Sequence, residues 1–274
     1  MSPLRENKAA DGSLRVAVIG AGGVATSLVP ALAAGGARVT QVFSRTLNNA
    51  RRVAATVAGC EAIDTLALLT READVYVIAV KDDAIARVLD EAIAVAGNDG
   101  RQPLWLHTSG STSIDVFGGR VDRCGVLYPM QSFSRSLRVE MSEVYFFTEG
   151  NNEPTQARVD AFARLMSPHV TPCDSRRREQ LHIAAVFACN FANSLWTEAD
   201  EIMTGAGLPF RALLPLIRFS VDKLNSLAPR ESQTGPAQRR DTTIINRHLE
   251  ALDGKRRELY KMLTDNIIEQ QKDD

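Results

Sequence analysis

The stretch Val16-Ala17-Val18-Ile19-Gly20-Ala21-Gly22-Gly23-Val24-Ala25 decides how the rest of the chain is read. Four consecutive apolar residues read as a strand buried on both faces, and the glycines end it. From Val24 the apolar spacing is helical, and a second apolar run follows at 39–43. A glycine string alone is a weak signal. With a strand before it, a helix after it and a second strand beyond, it predicts a turn that cradles a dinucleotide. In that role Gly20 permits the tight turn and Gly22 lets the backbone approach a pyrophosphate. Gly23 and Val24 open a helix whose free amides attract the anion, and small Ala25 lets helix and strand pack closely. The competing reading is a glycine turn in some other α/β protein.

The end of the second strand bears on which dinucleotide binds. An acid there would accept hydrogen bonds from the ribose hydroxyls, but the chain reads Phe43-Ser44-Arg45-Thr46. Arg45 can stack on adenine and pair with a 2′-phosphate, while Ser44 and Thr46 offer hydroxyls at the start of the next helix. NADP is therefore the expected cofactor. The alternative is that Arg45 is simply solvated and NAD binds without an acid.

Outward from this turn, short apolar runs alternate with amphipathic stretches, the pattern of a parallel sheet covered by helices. Strands are expected at 15–20, 38–44, 75–80, 104–107, 125–128, 144–148 and 169–172. Helices are expected at 24–34, 47–57, 83–96 and 155–166. After Asp174 the strand-like alternation stops, and helices are expected at 177–205, at 209–227 and on either side of Asp253-Gly254, with a loop at 229–238. The predicted architecture is α/β: a mobile tail at 1–13, a Rossmann doubly wound parallel sheet at 14–173, and an all-helical domain at 174–274 for substrate binding and dimerisation.

Composition excludes several classes of function. Of 274 residues, 45% are hydrophobic, enough to bury a core, and 32 basic residues against 33 acidic ones leave no bulk positive field for nucleic acid or an anionic membrane. The long uncharged run at 16–37 is broken by glycines and Pro30, unlike a membrane span. The start of the chain is polar and lacks the apolar stretch of a signal peptide. Four scattered cysteines show no metal-binding spacing, so they read as idle thiols in a reducing cytoplasm.

Further strings extend the pattern. They are Ala79-Val80-Lys81-Asp82-Asp83-Ala84-Ile85, His107-Thr108-Ser109-Gly110-Ser111, Tyr128-Pro129-Met130-Gln131-Ser132-Phe133, and Thr234 through Asp241 with His248-Leu249. With these the chain from Leu14 onward resembles an uncharacterised Rossmann-like NADP-binding oxidoreductase family whose second half is a domain of unknown function. That family is similar to pyrroline-5-carboxylate reductase and, more distantly, to the 3-hydroxyacid and 6-phosphogluconate dehydrogenases. The resemblance implies a reductase fold whose helical domain pairs two subunits. Two departures stand out. Tyr128 occupies a position that is usually His in the family. Val186-Phe187-Ala188-Cys189-Asn190 lacks the Lys that hydroxyacid dehydrogenases place four residues before Asn, so oxidation of a hydroxyl lacks its usual general base.

Ligands in open α/β sheets sit beyond the carboxyl ends of the strands. There Val80, Lys81 and Asp82 would pass beside the nicotinamide ribose, with Thr108 and Ser109 near the ring. Ser109 reads equally as a turn residue, and Lys81 with Asp82 as a solvated pair or helix cap. His107 reads first as a strand-end histidine satisfied by the backbone. Beyond Asp174, His182 and Asn190 are candidate donors from the helical side, although about 12 Å of helix rise separates them, and both can instead be structural. Arg239 and Arg240 are carboxylate-binding candidates, whereas Asp241 reads as a helix cap.

The reading that follows is an NADP-dependent oxidoreductase. It moves hydride to or from a small C=N or C=O substrate in a cleft between the domains, with Ser109, His182 and Asn190 as the catalytic candidates, and acts as a homodimer. The rival is a dinucleotide-binding sensor without turnover.

Overall fold

A computed structural model describes residues 13–97 and 100–271; most of the expected N-terminal tail lies outside the described residues. In chain order the first part runs β1 (Leu14–Ile19), α1 (Gly23–Ala34), β2 (Ala37–Phe43), α2 (Leu47–Ala54), β3 (Glu61–Ile63), β4 (Val75–Ile78), α3 (Ile85–Ala96), β5 (Leu104–His107), β6 (Cys124–Pro129), β7 (Phe146–Gly150), α4 (Glu153–Ala163) and β8 (Val170–Pro172). These strands form one eight-stranded sheet in the order β3-β2-β1-β4-β5-β6-β7-β8. The reversal of order on either side of β1 marks a doubly wound Rossmann sheet, as the glycine turn predicts.

Alternation along the strands accounts for the continuous apolar runs. Val16, Val18, Val75 and Val77 pack on one face with Leu28 and Leu32 of α1. Ala17, Ile19, Tyr76, Ile78 and Trp105 pack on the other face with Ile85 and Leu89 of α3. Both faces are covered, so residues of either parity must be apolar.

The sheet is mostly parallel, as expected, with one antiparallel pair. β7 runs antiparallel to β6, pairing Val126 with Glu149 and Tyr128 with Phe147, and β8 is parallel to β7. The β6–β7 connection holds only the short 3-10 turn Met141–Glu143 and no crossover helix. The chain therefore returns alongside itself, since a parallel neighbour requires a crossover.

Helix α5 (Ser175–Ala185) starts at Asp174, whose carboxylate caps it by accepting from Arg177 N at 2.8 Å. The helix expected to run unbroken to Gly205 is interrupted by a π-helical turn at Val186–Phe191, after which α6 (Ala192–Gly205) resumes. The chain divides into two compact units, Met1–Cys189 and Asn190–Asp274, so α5 belongs with the sheet and not, as expected, with the helical part. The reason is Arg178. Its side chain is 1% exposed and ion-paired to Glu149 of β7, and it also donates to Thr112 O at 2.7 Å.

The second unit holds α6, α7 (Leu214–Asp222), α8 (Thr242–Ala251) and α9 (Gly254–Gln270). Asp241 caps α8 through Ile244 N at 3.1 Å, the role read for it from sequence. Arg256 of α9 donates to Glu198 of α6 at 2.7 Å. Among the described residues of this unit only Ala237 and Ile245 are buried apolar residues.

Candidate active site

The glycine turn builds one end of the site, and each glycine answers a different demand. Gly20 has φ +128°, and a Cβ on it would stand 2.1 Å from Ala79 O at the end of β4, so only glycine fits. A Cβ on Gly22 would meet nothing within 4 Å, which leaves its backbone open to a ligand. At Gly23 a Cβ would stand 2.9 Å from the Phe133 carbonyl, so this glycine makes room for a neighbouring loop. Helix α1 starts at Gly23 with no side-chain cap and no acid in its first turn, leaving its first amides for an anion.

Beyond these amides lies a cleft of about 800 Å³ in the first unit. It is lined by Gly20, Gly22, Gly23, Val24, Ser44, Arg45, Val80, Lys81 and Thr108, nine of the residues expected at the cofactor. Ala25, Thr46 and Asp82 do not line it. Ala25, in the first turn of α1, is fully buried, as a packing residue should be. Thr46 precedes α2 at its N-cap, and Asp82 accepts from Ser111 Oγ at 2.6 Å. Arg87 in the wall is paired with Glu91, whereas Arg45, Lys81 and Arg135 hold no ion pair among the described residues. Unclaimed amides at one point and unpaired cations on the walls fit the phosphates of NADP. The end of β2 carries no acid to repel a 2′-phosphate.

The neighbouring strand ends carry a second group of polar residues. The register pairs His107 of β5 with Val126 of β6, so Tyr128 reaches the level of Ser109. Ser109 Oγ accepts from Ser111 N at 3.2 Å and from Thr112 N at 2.9 Å, which gives it a turn-forming part. The Tyr128 phenol lies 3.2 Å from His182 Nδ1, with the rings in edge contact. Gly110 passes beneath both: a Cβ there would stand 2.8 Å from His182 Nδ1 and from Tyr128 Cζ. His182 is thus brought to the strand ends, while Asn190 lies in the second compact unit, exposed and within the π-helical turn.

Electrostatics separate the aromatic groups. Burial, with a smaller push from the Asp82 carboxylate, raises the Tyr128 phenol above its ordinary pKa, and Arg178 opposes this weakly. The phenol therefore stays protonated and able to donate. His107 is fully buried. Burial and the positive field of Arg178 lower its pKa to about 3, and Nδ1 accepts from Ser109 N at 3.2 Å. Neutral around pH 7 and buried, His107 supports the turn through its bond from Ser109 N. Burial also pushes the Cys60 and Cys124 thiols up to about 11, consistent with inert cysteines. No group of His, Cys, Asp and Glu suited to a metal occurs among the described residues. Sequence reading missed Tyr128, noted there only as a departure from the resembling family, and Arg135, which no spacing singles out.

Two family models match the chain: one described as NADP oxidoreductase, coenzyme F420-dependent, over residues 15–101, and a domain of unknown function over 144–267. The crystal structure of a candidate NADP oxidoreductase, BF3122 from Bacteroides fragilis, is 38% identical. It covers 94% of this chain and 98% of its own with a TM-score of 0.88. Pyrroline carboxylate reductase from Plasmodium falciparum, solved with NADP bound, shares the fold at 14% identity and a TM-score of 0.61, covering 93% and 94% of the two chains. An imine reductase from Myxococcus stipitatus in complex with NADP+ does so at 16% identity and a TM-score of 0.59, covering 93% and 92%. No functionally curated protein sequence matches.

Proposed function

Because the chain belongs to the NADP oxidoreductase family that joins this Rossmann domain to the domain of unknown function, we propose that it is a reductase of a small C=N or C=O compound. The cofactor is NADP. Reduced NADP would supply the hydride, and the protein would supply position and a proton. The observation that carries the reading is the Tyr128–His182 hydrogen bond at the carboxyl edge of the sheet whose other strand ends line the cofactor cleft. When hydride adds to the carbon of C=N or C=O, the heteroatom gains an electron pair and needs a proton. In this reading the Tyr128 phenol gives that proton and is reprotonated through His182, whose partly exposed ring draws the replacement from solvent. Ser109 and Gly110 hold the turn on which the pair rests. The 186–190 string carries no lysine, so the acid–base role that hydroxyacid dehydrogenases give to that residue falls to another group in this reading.

The same reading makes the protein a homodimer, since the unit 190–274 leaves its apolar helix faces uncovered, and it suits a reducing cytoplasm, given four free cysteines. No described helix is long and apolar enough to cross a membrane.

The test is NADPH absorbance decay with a panel of cyclic imines and 2-oxo acids, run beside a thermal-shift measurement of NADPH binding. Turnover of a panel member supports the reductase. Tight binding with no turnover of any member selects a dinucleotide sensor instead.

A further inference from the structure

The irregular segment 130–139 that leaves β6 does not hang free. It lies against the glycine turn and α1, held at three points by main-chain atoms. The Phe133 carbonyl packs where a side chain on Gly23 would be. The Arg135 carbonyl accepts from Arg52 Nη1 at 3.1 Å. Val139 N donates to Ser27 Oγ at 3.0 Å. Arg52 stands on α2, the helix that begins just after Ser44-Arg45-Thr46, and its other guanidinium nitrogen donates to Ala21 O of the glycine turn at 3.3 Å. One arginine thus ties the segment both to the helix of the expected 2′-phosphate site and to the turn beneath the pyrophosphate.

This anchoring puts the side chain of Arg135 on the wall of the cleft, exposed and without an ion pair among the described residues. Arg45 lines the same cleft, equally unpaired. An unpaired surface arginine is ordinary. Two in one cleft, one of them delivered by a segment pinned at three points, suit an anion with more than one charge, even with Asp64 and Asp83 elsewhere in the lining. The pyrophosphate already has the amides of α1, while the 2′-phosphate has only Ser44, Arg45 and their neighbours.

We propose that Arg135 is a second guanidinium for the 2′-phosphate of NADP, opposite Arg45, and so sets the preference for NADP over NAD. Segment 130–139 is then part of the cofactor site. This rests on cofactor binding alone and is independent of whether any substrate is turned over.

The experiment measures dissociation constants of NADPH and NADH by fluorescence titration for the wild type, Arg135→Ala and Arg135→Lys. Since the segment is held by main-chain atoms, Arg135→Ala keeps the fold, which an unchanged circular dichroism melt verifies. The expected result is NADPH binding weakened about tenfold or more, NADH binding unchanged and partial recovery in Arg135→Lys. Equal weakening of both cofactors would put the guanidinium on the pyrophosphate and overturn the assignment. Unchanged affinity for both would make Arg135 a solvated residue and overturn it as well.

Discussion

The phenol of Tyr128 and Nδ1 of His182 are 3.2 Å apart, and Gly110 lies against both so closely that a methyl group there would come within 2.8 Å of each. The pair joins a strand end to a helix of the same compact unit across 54 residues of sequence. If it moves the proton, Tyr128→Phe should lower kcat by about 10² to 10⁴ on whichever panel compound is turned over, leaving the NADPH dissociation constant nearly unchanged. Gly110→Ala should do the same by pushing the partners apart. A variant that melts earlier yet keeps its rate would assign the pair to structure. Because the phenol titrates above its ordinary value of 10, the wild type should show no loss of donor on the Tyr128 side through the neutral range.

What holds His182 in place is the Arg178–Glu149 pair at the start of α5, with Ser175 Oγ donating to Glu149 at 2.7 Å. Removing one partner of a buried ion pair leaves the other desolvated and uncompensated. Arg178→Ala should therefore destabilise the fold by about 3 to 5 kcal/mol. Glu149→Gln in the same chain should recover part of it. Chemical denaturation checks both, and an unchanged midpoint in Arg178→Ala would mean that α5 is held by other contacts.

The sheet and its glycine turn were legible in the sequence because apolar period and glycine chemistry are local. β3 was missed because three residues carry too little pattern. The direction of β7 is written in the connection before it rather than in its own residues. The π turn at Val186–Phe191 is invisible because Phe187 and Phe191 keep ordinary helical spacing. At the cofactor, Gly20, Gly22 and Arg45 announced themselves by type and position. Tyr128 did not, since its meaning depends on His182, and Arg135 depends on carbonyl contacts that any residue type can make.

His107 gives a pH signature. Its folded pKa of about 3 lies below the ordinary 6.5, so between these values the unfolded chain binds the proton and the folded chain does not. The stability it contributes is present above about 6.5 and is lost as the pH falls towards 3. Melting temperature measured from pH 7 to 4 should decline, and His107→Gln should flatten that decline. An acid limb of the same slope in the variant would place its origin in other groups.

Arg45 should carry cofactor choice directly. Arg45→Ala removes a charge-assisted bond worth about 1.5 to 3 kcal/mol, so preference for NADPH over NADH should fall by about tenfold to a hundredfold. Retained preference in titrations of this variant would move the 2′-phosphate elsewhere.

The last prediction concerns assembly. The described part of the unit 190–274 buries only Ala237 and Ile245 among its apolar residues, while Leu216 is 63% exposed, Phe219 64% and Met262 67%. Each large side chain left in water forgoes about 1.5 to 3 kcal/mol of burial, and a soluble chain rarely leaves so many exposed together. Leu216 and Phe219 are three residues apart on α7, so they project from one side of that helix. A second copy meeting this face about a two-fold axis would bring the same residues together from both chains. Sedimentation equilibrium at micromolar concentration should therefore show twice the chain mass. Leu216→Asp combined with Phe219→Asp should shift the protein to the monomer and lower its melting temperature. A wild type that sediments as a single chain, or a dimer indifferent to both changes, would exclude this face as the interface.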